Sequence, residues 1–248
     1  MHLKNVMIYG MEWKLNMNIV DTGYWSWYAA YGVYKAKQEG RTIDPYISLS
    51  FIDFNNTILA IDSVTSIRKD HFPWYKLNRS NPSQISEDMR IIANRLILEL
   101  THIYPSSVRA EAGLEADDVI AIYAKPGDMI FSNDKDYLQL DEGINITNFN
   151  GEFITCDRFK APHLNIKRGQ ASLAYQLMFG DAADAIPRRY YGDKEIAVWV
   201  FEQDNPLYEA IKLIPPQQVK VSLAALSLPT TLWTLDKHLI NGVLDRYM

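Results

Sequence analysis

The stretch that decides the fold is Asp128-Met129-Ile130-Phe131-Ser132-Asn133-Asp134-Lys135-Asp136. Its apolar centre predicts a β-strand over 128–132 that delivers Asp134 and Asp136 to its carboxyl end. Residues i and i+2 of an extended segment point the same way, so both carboxylates are expected on one side. A solvated turn is the alternative interpretation of this pair taken alone.

Two earlier apolar runs also lead into an aspartate. A strand over 17–20 precedes Asp21, and a strand over 57–61 ends at Asp62. Helices predicted at 24–38, 83–103 and 116–124, with a short strand at 107–111, alternate with these strands and indicate an α/β fold with a mainly parallel central sheet. Ligands gather at the carboxyl ends of parallel strands, so the aspartates can meet in one crevice. Each could instead cap the following helix.

Further acids pair at helical spacing. Glu115 and Asp118 share one face of a predicted helix, with Asp117 in the same first turn. Compensation of the helix dipole is the alternative for this group. Asp181 and Asp184 are also three residues apart, between apolar residues, and could cap a following helix.

Taken together, the clustered acids predict a two-metal phosphodiesterase site. Carboxylates brought together lose hydration and repel one another unless cations lie between them. Oxygen ligands suit Mg²⁺ or Mn²⁺, and two such ions about 4 Å apart would relieve the repulsion. The nine candidate ligands are Asp21, Asp62, Glu115, Asp117, Asp118, Asp134, Asp136, Asp181 and Asp184.

Composition permits a nucleic-acid partner despite a net charge of −5. Removing the nine clustered acids from 30 leaves 21 acidic against 25 basic residues, a surplus of +4. The sequence contains no run of about 18 apolar residues, so no membrane span is expected. The amino terminus lacks the features of a signal peptide. The single cysteine, Cys156, excludes an internal disulfide and fits a reducing compartment. We expect a cytoplasmic protein of a bacterial or phage-infected cell.

Four segments, in order along the chain, resemble motifs of the 5′-nuclease family. That family contains flap endonucleases, the 5′-nuclease domains of bacterial DNA polymerase I and bacteriophage 5′→3′ exonucleases. Residues 68–79 resemble its R-x-x-x-x-P-x-Y-K-x-N-R segment, and 113–118 resemble G-x-E-A-D-D. Residues 132–140 resemble S-x-D-K-D-x-x-Q-L, and 180–187 resemble G-D-x-x-D-N-I-P. The compact size is most similar to the stand-alone bacteriophage members.

The resemblance implies a PIN-like fold whose nine acids bind two Mg²⁺ ions, directly or through water, with Mn²⁺ able to substitute. It implies a helical arch near 68–95, beneath which a 5′ single strand passes. Lys76 and Arg79 would contact the scissile phosphate region and act in catalysis with the metal-binding Asp134. Substrate binding would fall to Arg68 and Lys69, and to Tyr75, which could stack on a base.

The sequence departs from the family pattern after Pro187. Members usually continue with a glycine-rich helix-hairpin-helix turn that presents backbone N–H groups to duplex phosphate and often binds K⁺. Here the chain reads Arg188-Arg189-Tyr190-Tyr191-Gly192-Asp193-Lys194, with one glycine, which disfavours close backbone approach and a K⁺ site. Side chains of Arg188, Arg189 and Lys194 are expected to bind the substrate instead. Ala185 also replaces a usual asparagine.

We therefore expect a nuclease core over 1–156 and a helical region over 157–248, carrying the degenerate helix-hairpin-helix and packed on the core as one unit. The expected activity is Mg²⁺-dependent 5′→3′ exonuclease and flap endonuclease action on 5′ flaps, nicks or RNA primers in DNA replication or repair. The protein is expected to be a monomer. The alternatives are a PIN-type single-strand ribonuclease and a non-catalytic protein that binds branched DNA.

Overall fold

The computed structural model describes residues 17–66, 76, 84–183 and 185–226 of the chain. Its sheet has five parallel strands in the order β3-β2-β1-β4-β5, which confirms the predicted parallel sheet. The strands are β1 (Asn18–Asp21), β2 (Thr57–Ala60), β3 (Val108–Arg109), β4 (Met129–Phe131) and β5 (Asn145–Thr147). The strand order reverses between β1 and β4, so a crevice is expected at the carboxyl ends of these two strands.

Helices flank the sheet and continue beyond it. They are α1 (Thr22–Gln38), α2 (Gln84–Ile103), α3 (Ala116–Tyr123), α4 (Gln170–Phe179), α5 (Lys194–Glu202), α6 (Pro206–Lys212) and α7 (Pro216–Leu226). Short 3-10 helices cover Ile47–Leu49, Phe54–Asn56, Pro105–Ser107, Lys135–Gln139 and Cys156–Phe159. None of the helices in the described part of the chain is long and apolar enough to cross a membrane.

Alternation along the strands produces two apolar layers. Ile19 and Ile130 pack with α3 on one face of the sheet, and Val20 and Phe131 pack with α1 and α2 on the other. Successive side chains of a strand point to opposite faces, so a continuous apolar run fills both layers. Each fully buried aliphatic side chain contributes about 1.5–3 kcal/mol. These layers fix the strand ends that carry the acids.

Helices α4 to α7 enclose a third apolar cluster, centred on Leu173, Leu177 and Met178. Buried hydrogen bonds join it to the sheet region: Gln139 Nε2 donates to Gln176 Oε1 and to the carbonyl of Leu226, both at 2.9 Å. Residues 227–248 lie outside the described part. The division of the chain at 156/157 stays a prediction.

The predicted arch lies only partly within the described chain. Residues 84–94 form the first half of α2, which packs along α1. Of residues 68–83, only Lys76 is described. The arch therefore stays a prediction.

The chain turns back at Asn150-Gly151, but the segments on either side pair only briefly and do not form a regular two-stranded hairpin. Beyond β5, one antiparallel bridge pairs Thr147 with Phe153. Asn148 Oδ1 accepts the backbone N–H groups of Asn150 (2.9 Å) and Glu152 (3.0 Å). The antiparallel pairing is limited to this bridge and two flanking backbone bonds, from Asn148 N–H to the Glu152 carbonyl and from Ile154 N–H to the Ile146 carbonyl, both 3.0 Å. Local side-chain bonds such as those of Asn148 favour a tight turn over a longer strand ladder.

Candidate active site

A cavity of about 590 Å³ opens at the carboxyl ends of β1 and β4, where the strand order reverses. Seven of the nine predicted ligands line it: Asp21, Asp62, Glu115, Asp117, Asp134, Asp136 and Asp181. Asp118 does not line it, and Asp184 lies outside the described residues. Acids from five separate segments of the chain therefore meet in one crevice.

Asp21 both caps α1 and faces the cavity. Its Oδ1 accepts the backbone N–H of Tyr24 at 2.9 Å, the bond expected of a helix cap. Its Oδ2 accepts the hydroxyl groups of Ser132 at 2.8 Å and Tyr137 at 3.2 Å. The capping interpretation and the site interpretation are both satisfied, by different oxygens of one carboxylate.

Asp62 and Asp134 follow the same pattern. Asp62 Oδ1 accepts the backbone N–H of Ala116 at 2.8 Å, at the start of α3. Asp134 Oδ1 accepts the backbone N–H of Asp136 at 2.9 Å, and so caps the 3-10 helix Lys135–Gln139. The second oxygen of each carboxylate accepts no hydrogen bond from a described residue. Both carboxylates are thus held in place by Oδ1, and their Oδ2 atoms can coordinate a ligand.

The acids of α3 divide between structure and cavity. Glu115 is buried and pairs with Lys76, whose Nζ lies 2.7 Å from Oε2. Asp118 is buried and accepts the backbone N–H of Glu115 at 3.2 Å in a capping box. This bond accounts for the position of Asp118, and its role as a metal ligand stays a prediction.

Asp136 and Asp181 share a buried partner, Gln176 of α4. Gln176 Nε2 donates to Asp136 Oδ1 and lies 3.4 Å from Asp181 Oδ2. Lys135 Nζ lies 3.0 Å from the same Asp181 oxygen. The helical region therefore orients two of the cavity carboxylates.

The electrostatics of the cavity favour added positive charge. Burial raises the pKa of Asp134 from 3.8 to about 6, against the Asp136 N–H bond that favours the charged form, and repulsion from Asp117, Asp21 and Asp181 adds to the increase. Burial also raises the pKa of Asp21, opposed by hydrogen bonds. A divalent cation bound between these carboxyl groups would stabilise their ionised form and offset the effects of burial and mutual repulsion.

The donor set fits a hard divalent cation. Every predicted ligand offers carboxylate oxygen, and among the residues that the structure describes neither His nor Cys lines the cavity, which suits Mg²⁺ or Mn²⁺. In their present rotamers, no three acidic, His or Cys side chains among the described residues surround a common point closely enough to hold an ion. Lys76 and Lys135 supply part of the missing positive charge, and carboxylate rotation would accompany ion binding.

The metal-free protein is expected to be more stable at pH 5 than at pH 7. A carboxyl with a raised pKa binds protons preferentially in the folded state, so its contribution to stability grows as the pH falls through about 6 and is lost as the pH rises. The carboxyl of Asp134 is enclosed by protein groups, which raises its pKa, yet solvent still reaches the residue through the open cavity, so screening limits the gain to about 0.5–1 kcal/mol. Urea unfolding in EDTA at both pH values measures it. Asp134→Asn should flatten the difference, and a fall in wild-type stability towards pH 5 would contradict the prediction.

Gly180→Ala is expected to lower the free energy of unfolding by about 3–5 kcal/mol. Gly180 has φ +79°, and an added Cβ would lie 2.6 Å from the backbone of Ile186 and Arg188. Gly40→Ala is the matched control, because Gly40 has φ +67° with open space around it, and should lose only about 1 kcal/mol. Equal losses in urea unfolding would show that close packing before Asp181 is unimportant.

Sequence reasoning missed several residues that complete the cavity. Ser132, Lys135 and Tyr137 lie within or beside the quoted acidic motif but received no role. Gln176 gave one signal, an amide between the apolar pairs of a mostly apolar helix segment. Arg158 gave none, since it lies in a short polar segment far from the acids in sequence.

None of the other predicted substrate contacts that the structure describes lines the cavity. Arg188, Arg189 and Lys194 belong to the loop before α5 and its first residue, and do not line the cavity. Arg68, Lys69, Tyr75 and Arg79 lie outside the described residues.

Comparison with known families supports the motif analysis. Residues 48–164 match the family described as 5′-3′ exonuclease, N-terminal resolvase-like domain. The predicted resemblance to the 5′-nuclease family is thereby confirmed. No curated protein sequence gives a significant match to the chain.

Solved structures of bacteriophage T5 proteins share the fold. The T5 D15 protein co-crystallised with metal ions superposes with a TM-score of 0.62 at 16% identity, covering 94% of this chain and 98% of that chain. The T5 D15 flap endonuclease in a pseudo-enzyme-product complex with DNA and metal ions superposes with a TM-score of 0.62 at 16% sequence identity, covering 94% of this chain and 97% of that chain. A T5 5′-exonuclease with bound zinc superposes with a TM-score of 0.56 at 15% sequence identity, covering 94% of this chain and 98% of that chain. The predicted PIN-like α/β fold is confirmed.

Proposed function

We propose that this chain is a divalent-metal-dependent 5′ nuclease, and the match of residues 48–164 to the family described as 5′-3′ exonuclease, N-terminal resolvase-like domain supports the proposal. Its substrates would be DNA with a 5′ single-stranded flap, nicked duplex or an RNA primer, and it would act as a monomer in replication or repair. One observation carries the proposal: seven carboxylates from five segments meet in a cavity at the reversal of strand order.

We propose that the carboxylates of the cavity bind metal ions and that Lys76 contacts the substrate. Asp21, Asp134, Asp136 and Asp181 lie around the ends of β1 and β4, with Asp62, Glu115 and Asp117 on the β2 side. These carboxylates would hold two divalent ions, and Asp184 is proposed with them from the family motif. When bound, such ions lower the pKa of a water and offset charge on the phosphate.

Lys76 would act on the substrate phosphate. Its ammonium group lines the cavity and lies 2.7 Å from Glu115. A cation already inside a carboxylate-lined cavity can stabilise the charge that builds on a phosphate as water attacks. We propose Arg79 for the same role, and Arg68, Lys69 and Tyr75 for the incoming strand, from the motif alone.

Backbone N–H groups that follow Pro187 already form hydrogen bonds within the protein. The N–H groups of Arg189 and Tyr190 both donate to the carbonyl of Met178, at 3.0 and 2.8 Å. The Asp193 carboxylate accepts the N–H of Glu195 at the start of α5, at 2.8 Å. A capping carboxylate at a helix start repels phosphate, so duplex contact is proposed for the side chains of this loop.

Arg188 is the best-supported duplex contact. Its guanidinium carbon lies 5.1 Å from the Phe179 ring centroid and 5.5 Å from that of Tyr191, and Nε donates to the carbonyl of Tyr190 at 2.6 Å. Two ring faces and one carbonyl fix the planar group at low entropic cost for phosphate binding. Arg189 and Lys194 would add charge beside it.

Replacing KCl by NaCl at equal ionic strength is expected to leave duplex affinity unchanged within about twofold, because side chains and not a K⁺ site would bind phosphate. Arg188→Ala should weaken nicked-duplex binding about tenfold, while the exposed, Glu39-paired Arg41→Ala should not. Fluorescence anisotropy in EDTA measures both. A strict requirement for K⁺ would contradict this arrangement.

Digestion of end-labelled substrates tests the proposed function directly. Wild-type protein should cleave a 5′-flap DNA and a nicked duplex with Mg²⁺ or Mn²⁺, and should leave both intact in EDTA. Preferential cleavage of single-stranded RNA would favour the ribonuclease alternative. Tight binding of flap DNA without cleavage in either metal would favour the non-catalytic alternative.

A further inference from the structure

Three cations line the cavity among the described residues, and one of them differs from the others. Lys76 pairs with Glu115 at 2.7 Å, and Lys135 pairs with Asp181 at 3.0 Å. Arg158 pairs with no described carboxylate. Its Nη2 donates instead to the amide oxygen of Asn133 at 2.7 Å. A full positive charge therefore faces the cavity with only a neutral hydrogen-bond partner.

The Arg158–Asn133 contact leaves an edge of hydrogen-bond donors. Arginine can only donate, so the bonded atom of Asn133 is its carbonyl oxygen, and the amide NH₂ group remains for another acceptor. No described residue accepts a hydrogen bond from that NH₂ group. A guanidinium beside a primary amide matches the two non-bridging oxygens of a phosphodiester in charge and in donor geometry.

The position of this pair in the sheet indicates which phosphate it would meet. Asp21 and Asp134 follow the neighbouring strands β1 and β4, near the centre of the cavity. Arg158 bonds Asn133, which follows β4, and interacts electrostatically with Tyr24, whose ring stacks on Phe149 just beyond β5. These contacts place Arg158 on the side of the central carboxylates opposite β2 and Glu115.

We propose that Arg158 and Asn133 bind a phosphodiester flanking the scissile one, and so fix the register of the nucleic-acid strand in the cavity. This inference rests on the proposed nuclease function. It adds a phosphate-binding pair on the β5 side of the carboxylates, opposite the Lys76 side.

Steady-state cleavage of a 5′-flap DNA by three variants tests the pair. Arg158→Ala should raise KM about 10- to 100-fold with kcat changed less than about threefold. Arg158→Lys should recover part of this loss, because it restores the charge but not the planar fork. Lys160→Ala is the matched control: it removes one exposed positive charge from the same segment, outside the cavity, and should change KM less than about twofold.

A methylphosphonate scan identifies the phosphate. Neutral methylphosphonate replaces each phosphate near the cleaved bond in turn. With wild-type protein, one flanking position should raise KM about as much as Arg158→Ala does, and Arg158→Ala should show no further loss there. Equal sensitivity of both proteins at every position would overturn the proposal.

Two further readouts separate the possible failures. Arg158 is exposed, so the melting temperature of Arg158→Ala should lie within about 2 °C of wild type; if it does not, the Arg158→Lys result and its scan decide. Wild-type cleavage with an unchanged KM in Arg158→Ala defeats this inference alone. Absence of wild-type cleavage in both Mg²⁺ and Mn²⁺ defeats the proposed function itself.

Discussion

Asp134→Asn is expected to lower single-turnover cleavage of a 5′-flap DNA by about a thousandfold, or ~4 kcal/mol of activation free energy. The substitution removes one negative charge from the centre of the cavity, where Asp134 interacts with Asp117, Asp21 and Asp181. An asparagine oxygen can still accept the Asp136 N–H, so the local cap is retained. Chemistry, and not folding, should therefore be lost.

Binding separates this expectation from a general loss of structure. The Kd of Asp134→Asn for flap DNA in EDTA should equal or improve on the wild-type value, because less negative charge faces the phosphates. Asp141→Asn is the control, since Asp141 also caps a turn, through the Gly143 N–H, but lies outside the cavity. Unchanged turnover in Asp134→Asn would remove the basis of the nuclease proposal.

Lys76→Ala is expected to lower kcat about a hundredfold while raising Kd less than about fivefold. Its ammonium lies in the cavity beside buried Glu115, so removing it takes away charge stabilisation of the reacting phosphate and the cation that lies 2.7 Å from that carboxylate. Without metal the variant should also be less stable. Added Mg²⁺ should restore more stability to the variant than to wild type, because Glu115 then gains a cation.

Rapid-quench kinetics and anisotropy, each with and without Mg²⁺, measure these effects. Lys212→Ala removes a lysine that is also paired with a glutamate, Glu209, but lies on the surface of α6. It should leave kcat and Kd unchanged. A Lys76→Ala variant with normal kcat and weakened binding would mean that Lys76 only positions DNA.

The parts of the site that follow from local sequence were predictable. Apolar runs set the strands before Asp21, Asp62 and Asp134, and the predicted strand ends lie within one residue of those observed. Burial of both sheet faces makes such runs continuous, so a strand end is marked by the first charge. Helix capping and a role in the site are compatible, because a carboxylate has two oxygens, and Asp21 and Asp134 each use only one of them for the cap.

The parts that depend on contacts across the fold were not predictable. Gln176 reaches Asp136 and Asp181 only because α4 packs beneath the 3-10 helix Lys135–Gln139. Arg158 lines the cavity because β5 brings its segment next to Asn133. No spacing rule links residues 40 or 25 positions apart, so the residues that orient the acids become visible only in three dimensions.

The carbonyl of Leu226 has a role that reaches well beyond the end of α7. It accepts a hydrogen bond from Gln139, which also donates to Gln176, which in turn bonds Asp136. Deleting α7 would leave two buried amides competing for partners one bond away from a cavity carboxylate. A shortened version of this protein that stops before Pro216 would therefore keep all nine candidate ligands in its sequence but lose the bond that helps to hold Gln139 and Gln176 beside the cavity.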